Sequence, residues 1–84
     1  MGKNKATLYD LKPGQSAKIN HIHGDKQLQR RLSEMGLVHG ANIQVSRVAP
    51  LGDPRTYTVY GFQISLRNTE ARNIELDVKR KKLA

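Results

Sequence analysis

The chain has 84 residues, with 15 Lys and Arg against 7 Asp and Glu and no Cys. Its length fits one small domain with a single core. Lack of Cys excludes disulfides, thiolate nucleophiles, Cys-bound zinc and iron–sulfur clusters, and with no apolar run longer than two residues the sequence offers neither a membrane span nor a signal-peptide core.

Thr7 can cap a short turn over Leu8-Tyr9-Asp10-Leu11, which Lys12-Pro13-Gly14 stops. Gln15 to Ile22 reads as a strand with Ala17 and Ile19 on one face; Ile22 has the opposite parity, which places a bulge near Asn20-His21. Asp25 is a suitable N-cap for a helix over Lys26 to Met35, where Leu28, Leu32 and Met35 form one stripe. Gly36 suits the left-handed position after it, and Leu37 can then pack on Leu32. Beyond Gly40 the period becomes two: Ile43 and Val45 inward, Gln44 and Ser46 outward. Pro50 to Pro54 must be a loop, with two prolines and a glycine in five residues. Arg55 to Tyr60 is rich in strand formers, Gly61 marks a turn, and Phe62, Ile64 and Leu66 alternate with polar residues and read as core. Thr69 can cap a turn over Glu70-Ala71-Arg72, and Ile74, Leu76 and Val78 form a last strand.

Five short strands and one helix cannot build two sheets and a separate helical layer. The expected fold is mainly β: a small, strongly bent barrel of about five strands, with one inserted α-helix over an open end and short helical turns. Residues 1–7 are expected to be a flexible N-terminus, 8–78 the folded domain and 79–84 a basic tail. The tail and the first seven residues hold six of the cations, so the body has nine cations against seven acids. The expected setting is cytoplasmic.

Four kinds of chemistry are weighed against these elements. Catalysis has little support: the hydroxyls fall on polar strand faces, no paired carboxylates sit in a core, and the seven glycines form no phosphate loop. The chain is therefore read as no enzyme and as using no cofactor. His21, His23 and Asp25 are weak metal candidates, since two His at strand spacing followed by a carboxylate suit a divalent ion such as Fe²⁺. Their stronger reading is a strand edge leading into a helix cap. Nucleic-acid binding needs cations and stacked aromatics on one folded face, yet Tyr57 and Tyr60 have opposite strand parity. Partner binding has two candidate surfaces. One is the loop Leu51, Gly52, Asp53 and Pro54, an apolar residue held between prolines. The other is the helix face Arg30, Arg31 and Glu34. For Leu51, docking outward and folding back over the barrel mouth are equally open.

Several blocks resemble one family. Leu8-Tyr9-Asp10-Leu11-Lys12-Pro13-Gly14-Gln15 is similar to the opening of the FeoA family, ferrous iron transport protein A. Arg31-Leu32-Ser33-Glu34-Met35-Gly36-Leu37 followed by Gly40 resembles its next block, and Arg47-Val48-Ala49-Pro50-Leu51-Gly52-Asp53-Pro54 its most specific motif. Tyr60 to Arg67, and Glu70-Ala71 with Ile74, complete the series. His39 departs from it, since the family often has Pro before Gly40.

The resemblance implies an SH3-like barrel. It implies a cytosolic accessory of the ferrous-iron permease FeoB, docking on that protein's GTP-binding domain and reaching the membrane's inner face only through it. No nucleic-acid partner is expected. The same module occurs fused to metal-dependent repressors; with no room for a helix-turn-helix beside the barrel, this chain is expected to be the free-standing transport form. The alternatives are a basic SH3-like nucleic-acid-binding module or a weak metal-sensing domain. Self-association through exposed strand edges stays open.

Overall fold

The computed structural model describes residues 6–77. A 3-10 turn, Leu8–Asp10, opens the fold, with the Asp10 carboxylate accepting the Thr7 N–H at 2.8 Å. Five strands follow: β1 Ser16–Ile22, β2 Asn42–Val48, β3 Arg55–Val59, β4 Phe62–Leu66 and β5 Ile74–Asp77. Helix α1, Lys26–Glu34, joins β1 to β2, and the short helix α2, Asn68–Ala71, joins β4 to β5. The strands form one antiparallel sheet in the order β4-β3-β2-β1-β5. Residues 1–5 of the expected flexible N-terminus, Val78 and the basic tail lie outside the described residues. Within that N-terminus, Ala6 and Thr7 are tied down: the Leu76 N–H donates to the Ala6 carbonyl and Thr7 bridges Glu75.

The alternating apolar positions produce the core. Ile19, Ile43, Val45, Val59, Leu66, Ile74 and Leu76 point inward from the strands, and Leu8, Leu32 and Ala71 reach in from the 3-10 turn, α1 and α2. Burying each such side chain contributes roughly 2 kcal/mol. The expected bulge in β1 lies between Ile19 and His21, where the register against β5 shifts. A second bulge, between Val45 and Arg47 in β2, carries the same kind of signal: Val48, which packs partly against the core, has the opposite parity to Ile43 and Val45. Both bend the sheet.

Helix α1 begins as the sequence indicates, with the Asp25 carboxylate accepting the Leu28 N–H at 2.8 Å. It ends one residue earlier than expected, so Met35 caps it and is exposed while Leu32 is buried and Leu28 half-buried. Gly36 has φ +95°. The Leu37 N–H donates to the Leu32 carbonyl and the Gly36 N–H to that of Ser33, each at 3.0 Å, the paired bonds of a Schellman ending. His39 substitutes a bond for a proline's rigidity: its Nδ1 donates to the Asn20 carbonyl at 2.8 Å, holding the turn to the β1 bulge.

Two expectations are corrected. Phe62 is 71% exposed and not core; it has inward parity but is the first residue after the Tyr60-Gly61 turn, at the end of the hairpin. Thr69 is not the cap of α2. The helix starts at Asn68 with Arg67 at the cap position, and Glu70 turns back to accept the Arg67 N–H at 2.9 Å. Glu70 fulfils the reciprocal half of a capping box without a Ser or Thr partner.

Candidate functional site

The loop between β2 and β3 is a narrow, closed excursion. The Ala49 N–H donates to the Pro54 carbonyl at 3.1 Å, and the Gly52 N–H to that of Ala49 at 2.8 Å. Gly52 has φ +88°, which a side chain disfavours, and the Asp53–Pro54 peptide is cis. Leu51 does not fold back over the barrel mouth: its side chain is 94% exposed.

The loop is clipped to the body through α2. Asp53 Oδ1 accepts the backbone N–H of Asn68 at 3.0 Å, while Asn68 Nδ2 donates to the Gly52 carbonyl at 2.9 Å. Asp53 therefore closes the loop and also satisfies an otherwise orphan donor of α2. Sequence reasoning missed Asn68, since its partners lie 15 and 16 positions away.

The α1 face reaches α2 from the other side. Arg31 pairs with Glu70, the residue that closes the start of α2. Arg30, Arg31 and Glu34, with Lys26 and Gln27, line a shallow open depression along the helix. Among the described residues no hydrogen bond or ion pair joins this face directly to Leu51–Pro54; the four-residue α2 connects them. The two candidate surfaces thus flank one small element. Its Asn68 and Glu70 hold one each.

Below the loop lies Arg55, 6% exposed. It shares inward parity with Tyr57 and Val59, which is the signal that could have found it. Its guanidinium donates to the carbonyls of Tyr9, at 2.7 Å, and Leu11, and lies 5.7 and 5.8 Å from the Tyr9 and Tyr57 ring centres. Carbonyl oxygens and two aromatic faces accommodate this buried charge. Burial pushes the Tyr57 hydroxyl above its ordinary value near 10, and the charge of Arg55 opposes that shift. The hydroxyl makes no hydrogen bond of ordinary geometry, and the neighbouring Arg55 guanidinium favours its ionised form. With Tyr57 buried and Tyr60 at the hairpin tip, the tyrosines form no common stacking platform.

The metal candidates separate. The His21 and His23 rings meet edge to face with centres 4.6 Å apart. Asp25, however, is turned to the helix cap, and His23 Nε2 is hydrogen-bonded to Glu75 at 2.8 Å. Among the described residues, no group of three or more His, Asp or Glu is placed to hold a metal ion, and no helix is long and apolar enough to cross a membrane.

Comparisons with known proteins agree on one family. The family model for the FeoA domain matches residues 6–78. The chain is 38% identical over 71 residues to the Fe(2+) transport protein A/Fe(2+) transporter FeoB fusion protein of Porphyromonas gingivalis, a match covering 84% of this chain and 8% of that much longer one. Its fold is similar to the solution structure of FeoA from Chlorobium tepidum, with TM-score 0.80 and 33% identity over 90% of this chain and 74% of that one. It is also similar to the crystal structure of Stenotrophomonas maltophilia FeoA complexed with zinc, described as an SH3 domain protein. There the TM-score is 0.75, with 29% identity over 86% of this chain and 89% of that one. A manganese-dependent transcriptional repressor shares the fold at 15% identity.

Proposed function

From the premise that this chain belongs to the FeoA family, a family of ferrous iron transport with an SH3-like fold, we propose that it is a non-catalytic accessory protein of ferrous iron uptake in the cytoplasm. On this reading it docks on the cytosolic GTP-binding part of a FeoB permease through Leu51–Pro54 and the α1 face of Arg30, Arg31 and Glu34.

The observation that carries this reading is Leu51. An apolar side chain 94% exposed costs stability nothing to lose, yet it stands on a loop held at both ends by hydrogen bonds. An anchored loop loses little entropy on docking. Covering Leu51 would contribute about 2 kcal/mol to a complex. The P. gingivalis relative, in which transport protein A and FeoB share one chain, supports the choice of partner. A domain without catalytic groups acts on a transporter only by binding its states with different affinity, so the expected effect is a shift between nucleotide-dependent states.

The test is the affinity of this chain for a purified FeoB cytosolic domain, with Leu51→Asp as the variant. Binding should weaken at least tenfold, as expected for losing about 1.4 kcal/mol or more, while the thermal midpoint stays unchanged. Equal affinity of the two proteins sinks the loop assignment, and no binding by either sinks the partner.

A further inference from the structure

We propose that a second copy of this chain pairs with the outer edge of β4, continuing the sheet across a two-fold axis at Ile64. Strands β4 and β5 end the sheet. The outer edge of β5 is covered by Ala6 and Thr7. Among the described residues no further strand pairs with β4.

The hairpin fixes which groups that edge offers. Tyr60 has φ +52° and Gly61 φ +80°, a two-residue turn of the type whose flanking pair, here Val59 and Phe62, is hydrogen-bonded. Alternation then gives the pairs Tyr57–Ile64 and Arg55–Leu66 the bonds to β3. The N–H and C=O groups of Gln63 and Ser65 point the other way, off the sheet.

This edge is complementary to itself. Phe62-Gln63-Ile64-Ser65-Leu66 has the same apolar–polar alternation in both directions. Antiparallel pairing about Ile64 therefore sets Gln63 opposite Ser65 of the second copy, the arrangement in which their four outward groups bond reciprocally. It also sets Ile64 against itself, and Phe62, 71% exposed, beside Leu66 of the second copy. Charge agrees. Natural sheet edges are commonly guarded by Lys or Pro, and a chain of net charge +8 repels its own copy over most approaches. β4 has neither charge nor Pro. Five residues make a short contact, so the pair forms and separates with concentration. This inference stands apart from the docking reading above.

The test uses the full chain in sedimentation equilibrium from about 10 µM to about 1 mM. The mass should rise from 9.5 kDa toward twice that, and exchange of the Gln63 and Ser65 amides should slow with concentration. Both side chains are exposed, so substitutions there leave the fold intact. Gln63→Lys with Ser65→Lys places like charges opposite each other and should raise the dissociation constant about tenfold. Gln63→Glu with Ser65→Lys should restore pairing, because position 63 faces position 65 only in this register. A monomer mass throughout overturns the proposal, as does a charge swap that fails to restore pairing. So does a monomer whose two amides are protected only by an added extended peptide, which would assign the edge to a foreign strand.

Discussion

Asn68 holds the β2–β3 loop with two bonds, its backbone N–H donating to Asp53 Oδ1 at 3.0 Å and its side-chain amide to the Gly52 carbonyl at 2.9 Å. One residue thereby fixes both the loop's position and the start of α2. Asn68→Ala removes the second bond and leaves a carbonyl to water. The expected cost is about 1 kcal/mol in urea denaturation. If the loop docks as proposed, binding to FeoB should weaken by more than stability falls, because the loop must then be ordered on contact. A loss of affinity with no loss of stability, or the reverse, would separate the two roles.

Gly36→Ala probes the end of α1. The added methyl would meet the Tyr60 ring at 3.5 Å, an ordinary contact, so the cost comes from the backbone at φ +95°. About 1 kcal/mol is expected, measured by thermal or chemical denaturation. A much larger loss would mean that the turn cannot yield at all.

Arg55→Met tests the buried cation. Methionine fills similar space but leaves the Tyr9 and Leu11 carbonyls without their donors. A loss of about 2–3 kcal/mol is expected, a large share of what so small a core supplies. Retained stability in the variant would show that water takes over both carbonyls.

Tyr57 sets a limit at high pH. Its pKa is raised in the folded protein by burial, with Arg55 opposing. The folded state therefore keeps this proton more firmly than the unfolded chain does. The resulting stabilisation is complete below about pH 10 and is lost as pH rises through the folded value. Tyr57→Phe should leave neutral-pH stability within about 1 kcal/mol, since the hydroxyl it removes makes no hydrogen bond of ordinary geometry. Above about pH 10 the wild-type midpoint should fall faster than the variant's. Parallel curves would remove Tyr57 from the account.

Local punctuation made much of the fold legible in the sequence. Asp25, Gly36 and the parity change after Ile19 each act within a few residues, and each sits where the spacing places it. The exposure of Phe62 is not legible because parity names a face and not how far the neighbouring elements extend over it. The start of α2 is hidden because a cap is signalled by a side-chain oxygen at the first position, whereas Glu70 supplies it from the third. At the candidate site the exposed residues were legible. What holds them was not, since Asn68 and Glu70 bind partners between 15 and 39 positions away.

The bond from the Leu76 N–H to the Ala6 carbonyl, 2.8 Å long, brings the two ends of the described domain side by side. A polypeptide entering at residue 6 and one leaving after residue 77 share a single point on the surface. Sequence joined to either end is therefore tethered from the same place on the described domain. The domain is a plug with both wires on one side: it can be joined in tandem, or inserted within a larger chain, without rethreading its strands.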